Sequence, residues 1–303
     1  MSQLKLKEPL LDEEGEKYGP KPPTDRQWRT LFILNFIAAI VHGVSFFGAL
    51  GIAIWAQISD NINAIPGVLT WDFGNLIVNG TLVDLNTTNP IASPQFVGPY
   101  PLVWVDIAFP FITCLFHAGI AWSLRNPNGY YQRELTERNR NPLRWIEYSL
   151  TATLMTYIIC QLVGISNIFL LLAVAVFGNV ILQLQGHLME TLNSNQSKGI
   201  NWWPTAIGWI IFLGQWVCIW TYFLYAAFAD PVGPPVFVYV IVIGLFVSYA
   251  IFGLIQLMHY ARFRNFLSST FAVEVAYITL SFTSKLYLTW TFLGALLRAA
   301  FAP

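Results

Sequence analysis

The chain has 303 residues with 16 Lys and Arg against 16 Asp and Glu, so its zero net charge argues for neither a nucleic-acid nor an acidic partner. Hydrophobic residues make up 55%, charged residues 11%, and the mean hydropathy is +0.54, with the charges lying between long uncharged runs. That pattern excludes an ordinary soluble domain and describes an integral membrane protein of several spans. Cys114, Cys160 and Cys218 all fall inside apolar runs, an odd number badly placed for disulfides, and no Cys-x-x-Cys or His/Cys cluster suggests a metal.

Residues 1–28 mix acids, lysines and prolines without an apolar run long enough for a signal sequence, and are expected to be an uncleaved, disordered tail. Within it Glu8 to Leu11 matches an acidic dileucine sorting pattern, of a length that recurs by chance. Residues 29–303 then form one domain of seven spans, near 30–56, 101–124, 143–163, 166–190, 202–229, 235–261 and 271–297. Each is a largely uncharged run of about 20 residues or more, enough to cross a hydrocarbon core roughly 30 Å thick. Pro101, Pro142, Pro204 and Pro235 stand at or just before the starts of four spans, where a missing amide costs nothing, whereas Pro110 inside the second is expected to kink it.

Fourteen of the Lys and Arg residues lie in segments on the amino-terminal side of the spans, against Arg298 alone on the other side. The positive-inside rule therefore puts the amino terminus in the cytoplasm and the carboxyl terminus outside. The one long outer connection, 57–100, has no Lys or Arg and contains Leu76 to Val83, two short β-branched runs around Asn79-Gly80. That dipeptide between such runs predicts a small extracellular β-hairpin. Asn79 and Asn86 head glycosylation sequons on the correct side, while the sequon at Asn195 falls in a cytoplasmic loop and should be silent.

Lys285 lies fifteenth in the apolar stretch 271–297, too deep to reach either surface comfortably. A bare ammonium there must lose its proton, pair with an acid or be covalently modified. Ser281, four residues earlier, shares its helix face, and Glu147 in the third span is the best acidic partner. Depth poses a problem, because Glu147 is four steps into its span and Lys285 fourteen, ~6 Å against ~21 Å at 1.5 Å per residue. The third helix must start before 143 or sit deeper than its neighbours; an interfacial pair of Arg144 with Glu147 is the alternative. His42 and His117, well inside the first two spans, suggest a hydrated polar cavity. Asp106, His187, Glu190 and Glu274 lie near span ends and are expected to be solvated. Trp209, Trp216, Trp220, Tyr249 and Phe252 serve lipid belts and packing, or an apolar ligand pocket.

Seven spans with a mid-membrane lysine in the last describe a retinal protein. Animal and microbial pumping rhodopsins place the amino terminus outside, whereas this chain resembles the heliorhodopsins, whose topology is inverted. The resemblance covers nearly all of 30–297. Its specific parts are Arg144-Trp145-Ile146-Glu147-Tyr148-Ser149, the run Gln183 to Glu190, the long first loop, and Ser281 with Lys285. It implies a seven-helix bundle of rhodopsin type binding all-trans retinal, with Lys285 as the Schiff-base lysine, Glu147 as counterion and Ser281 as a neighbour of the Schiff base. It implies also that His42 and His117 are the cytoplasmic-side cavity histidines, and that Tyr148, Gln183, Gly186, Trp216, Tyr249 and Phe252 line the pocket. Gln183 stands where the family pattern has an asparagine, and Gln256 to Tyr260 follow it loosely; both departures bear on colour and photocycle rate. A homodimer in the lipid bilayer, with a cytoplasmic signalling partner, completes what the resemblance implies. The function expected is light sensing with a slow photocycle, by a protein that is not an enzyme. Light-activated passive proton conductance through His42, His117 and Glu147 is the alternative. A light-independent transporter with a buried Lys/Glu pair is a third reading, with no inverted repeat or pair of broken helices to support it.

Overall fold

Thr24 opens the first helix: its hydroxyl accepts from the Gln27 amide and its own amide donates to the Gln27 side chain at 2.8 Å, a capping box that satisfies two orphaned donors. The computed structural model describes residues 23–301 apart from 63, 72–74, 79–80, 85–94, 127–128, 195–198, 230, 232, 262–266 and 268. The expected tail with its dileucine pattern, and the sequon asparagines Asn79, Asn86 and Asn195, lie outside the described residues. Eight helices are described: α1 (Asp25–Ile58), α2 (Val103–Ser123), α3 (Tyr130–Glu137), α4 (Pro142–Leu162), α5 (Ile168–Leu192), α6 (Trp203–Ala229), α7 (Val236–Tyr260) and α8 (Thr270–Ala300).

All but α3 correspond to the seven expected spans, with ends shifted by a few residues. Five of them, α1, α2, α5, α6 and α7, are long and apolar enough to cross a membrane. The other two, α4 with 21 residues and α8 with 31, are long enough but carry Arg144 and Glu147, and Glu274 and Lys285. The helix α1 shows how lipid inverts the usual pattern. Beyond Leu31 its buried face is small or polar (Ala38, His42, Ser45, Ala49, Ala53 and Ala56), and its large residues Ile33, Phe36, Ile40, Val44 and Phe47 point outward. Small residues let α2 approach closely, which replaces the hydrophobic drive that lipid cannot supply.

The helix α2 remains a single helix through Pro110. Within α5, residues Leu172–Phe177 wind as a π-helix. Gln215 of α6 donates to the Val174 carbonyl there at 2.6 Å. This contact needs Gly178, since a Cβ on it would stand 2.6 Å from the Gln215 amide nitrogen. A side chain from the neighbouring helix thus satisfies a carbonyl of the widened turn.

Two two-stranded antiparallel sheets are described, and the first caps the bundle end opposite α3. One pairs β1 (Pro66–Trp71) with β4 (Gln95–Pro101), and the other pairs β2 (Asn75–Val78) with β3 (Thr81–Asp84), Val78 opposite Thr81. The first sheet is tied to the end of α4 and to the α4–α5 connection: the Val68 amide donates to Gln161 at 2.6 Å and the Thr70 amide to the Ser166 carbonyl at 3.0 Å. Ile62, Ile65 and Leu102 of this cap join Ala53, Ile107 and Ile158 in the main core.

Candidate functional site

Lys285 Nζ of α8 donates to Glu147 Oε1 of α4, and each side chain is 4% exposed. The depth problem is solved by the second of the two routes, a deeper α4. The Arg144 guanidinium lies 4.0 Å over the Tyr277 ring, and the Tyr148 hydroxyl donates to the Tyr277 carbonyl at 3.3 Å. Arg144 is two residues into α4 but stands level with Tyr277, seven residues into α8, so α4 begins about 7 Å deeper. Lys285 leans back toward the amino end of its helix, as helical side chains do, and meets Glu147. The Tyr148 ring completes the contact, its centroid 5.1 Å from Nζ.

Lys285 of the ion pair lines a cavity whose wall is mostly apolar, with a few polar groups, the kind of lining usual for small-molecule sites. Of the expected pocket residues, Tyr148, Gln183, Gly186, Tyr249, Phe252, Ser281 and Lys285 line it. Trp216 does not. It is buried one layer behind, its ring 6.0 Å from Tyr249 and 6.2 Å from Phe212, and Trp209 and Phe212 take the wall positions instead. Two glycines bring rings onto the wall. A Cβ on Gly186 would sit 2.2 Å from the Trp145 ring, and one on Gly253 would sit 2.9 Å from Trp209. Apolar and aromatic walls, one primary amine among the described residues, and a buried Ser281 beside it fit an extended apolar aldehyde such as retinal.

On the α1–α2 side of Lys285, His42 and His117 are buried and stacked, their ring centroids 6.0 Å apart. His117 Nδ1 shares a 2.7 Å hydrogen bond with Asn35 Oδ1. Asn35 was missed in the sequence, although it stands two turns before His42 on the same face of an apolar run. Neither histidine is among the residues that line the cavity.

Two expectations about span ends fail at Glu190 and Glu274, which are buried rather than solvated. Arg144 pairs with both, with Glu274 at 2.8 Å, and not with Glu147. Asn141 adds its amide to Glu190 at 2.8 Å and its side chain to Glu274 at 2.9 Å, and the Tyr131 hydroxyl donates to Glu274 at 2.8 Å. Burial, and then the Glu274 carboxylate, push the Tyr131 phenol well above its usual pKa, so it stays a donor. The reason for the burial is α3, a surface helix not foreseen in the sequence, which lays Tyr131 over the recessed start of α4. Asp106 is also fully buried, with no partner for either carboxyl oxygen among the described residues. His187 alone of the four is partly exposed.

No individual curated protein matches the chain. The Heliorhodopsin family model, however, matches residues 31–297. That stretch reaches into all seven long helices and carries the cavity and the ion pair, and the chain therefore belongs to the heliorhodopsin family of light-sensing retinal proteins in the membrane.

Proposed function

We propose that this protein is a photoreceptor and not an enzyme, with all-trans retinal attached at Lys285, Glu147 as counterion, and the lit state signalled on the cytoplasmic side. The observation that carries the reading is the buried Lys285–Glu147 pair at the edge of a largely apolar cavity. When bound, retinal supplies a visible chromophore, joined to Nζ as a Schiff base, whose isomerisation in light alters shape and charge at that nitrogen. The residues of this chain do the rest. Glu147 Oε1 accepts from Nζ, holds the positive charge there in the dark, and is the group placed to receive its proton. Trp145, Trp209, Phe212 and Phe252 exclude water along the cavity.

A route toward the cytoplasm follows from contacts already described. Tyr148 touches both Nζ and Tyr277, and Tyr277 lies against Arg144, which ties α4 to α5 and α8. The amino terminus is read as cytoplasmic and the β2–β3 hairpin as extracellular, supported by the charge asymmetry of fourteen to one. Tags on intact cells test this: the amino-terminal tag should be shielded from antibody and the carboxyl-terminal one exposed. A homodimer and an unidentified cytoplasmic partner remain part of the reading. The primary test is to add all-trans retinal to the expressed protein and record its spectrum. A visible band resistant to washing is expected; its absence sinks the retinal assignment at this site.

The second reading, passive proton conductance in light, is favoured by one observation. The stacked His42 and His117, with Asn35, extend buried polar groups inward from the ion pair. Photocurrents under an imposed voltage, reversing with the proton gradient, would select this reading; their absence leaves the signalling role.

A further inference from the structure

Away from the cavity, at the amino-terminal end of the bundle, three arginines face one groove. Arg26 and Arg29 come from the first turns of α1 and Arg125 from just beyond α2, and Asp25, Trp28 and Gln132 of α3 complete the walls. Three guanidiniums against one carboxylate leave the lining positive by two charges. None of the three is in an ion pair among the described residues. Arg125 is held over aromatic rings, 5.5 Å from the Trp122 centroid and 5.9 Å from that of Phe32. Trp122 is 67% exposed, as expected of an indole in the headgroup belt. Directly along α1 from the groove runs the outward stripe Ile33, Phe36, Ile40, Val44 and Phe47, 46–70% exposed.

We propose that this groove binds the phosphate of an anionic phospholipid, with the acyl chains lying along the α1 stripe. Guanidinium groups match phosphate oxygens in a bidentate fork and tolerate stacking on aromatic rings, which an ammonium does less well. Three like charges in one groove repel unless an anion lies between them. Basic pockets at the cytoplasmic ends of spanning helices are suited to anionic head groups. Inorganic phosphate offers the same oxygens, but only a lipid also covers the apolar stripe, and that decides between the two sources.

The test is native mass spectrometry of the full-length, retinal-loaded protein in detergent, titrated with phosphatidylglycerol or with phosphatidylcholine of identical chains, and with inorganic phosphate as competitor. Phosphatidylglycerol should be retained in preference to phosphatidylcholine and should not be displaced by inorganic phosphate. Arg26→Gln, Arg29→Gln and Arg125→Gln should each weaken retention roughly fivefold, and the triple variant on the order of a hundredfold. Arg133→Gln, on the exposed face of α3 outside the groove, should retain lipid like the parent. A single sharp size-exclusion peak checks that each variant is folded. Equal retention of the two lipids by the parent overturns the proposal without recourse to any variant. So does a folded triple variant that binds like the parent. Displacement by inorganic phosphate at equal concentration assigns the groove to a soluble anion and ends the lipid assignment.

Discussion

Glu147→Gln removes a negative charge from hydrogen-bonding distance of Lys285 Nζ while keeping the side chain's size. In the proposed chromophore the positive charge sits at that nitrogen in the dark and spreads away from it on excitation. The carboxylate therefore stabilises the dark state more than the excited one. At an effective dielectric of about 20, a unit charge ~3 Å away is worth ~5 kcal/mol and one ~10 Å away less than ~2 kcal/mol. The difference, roughly 3–4 kcal/mol, is what Glu147 adds to the excitation energy. Its loss should move the visible band to longer wavelength by about that energy. Gln variants at 190 and 274 are the controls, since both carboxylates are buried but are engaged by Arg144. Absorption spectra of the three reconstituted variants decide the matter. An unshifted band in Glu147→Gln, or a larger shift in either control, would show that Glu147 is not the counterion.

Lys285→Ala should abolish the wash-resistant band while the protein still inserts, since no other primary amine lines the cavity among the described residues; a surviving band would move the attachment elsewhere. Gly186→Ala should force the Trp145 ring off the wall, costing about 1–3 kcal/mol in thermal unfolding and altering the band, whereas a parent-like melt and spectrum would mean the ring is not so placed. Arg144→Met leaves Glu190 and Glu274 buried without their cation, and should lower stability by about 3–5 kcal/mol in denaturant titration; an unchanged midpoint would mean the cluster is solvated after all.

The spans were legible because lipid demands about 20 apolar residues whatever the packing, and the ends observed differ from those read in the sequence by only a few residues. Lys285 was legible for the same reason: a charge where none is affordable names itself. What the sequence hid was relative depth. Glu190 and Glu274 stand at the ends of their own helices, and only the recessed start of α4, covered by α3, turns those ends into an interior. The short α3 carries charges at Arg133, Glu134 and Glu137 and has no apolar run, so a search for spans passes over it. Trp216 stands about one helical turn from Phe212, which lines the cavity. It belongs to the same aromatic stack as Phe212 and Tyr249, and the residue that faces a cavity within such a stack is set by helix rotation, which composition does not encode.

The two helices that fail a simple test of apolarity, α4 and α8, are the two that meet at the ion pair, and the bilayer explains why. Their charges are sorted by depth. Near the middle, Lys285 and Glu147 balance each other. One turn nearer the start of α4, Arg144 faces two carboxylates, an excess of one negative charge held by five donors: two from Arg144, two from Asn141 and the Tyr131 hydroxyl. The start of α4, capped by Asn141 with Pro142 behind it, points its positive dipole end into the same cluster. Glu147 and Arg144 are three residues apart on one helix, so a proton gained by Glu147 changes the field on Arg144 from about one turn away. The mechanical link runs in parallel, through Tyr148 and Tyr277. Electrostatic and packing contacts thus converge on the one cation that fastens α4 to α5 and α8. In the proposed receptor, with its light-absorbing centre buried and its output at the end of the bundle where α4 starts, Arg144 is the shortest connection between the two.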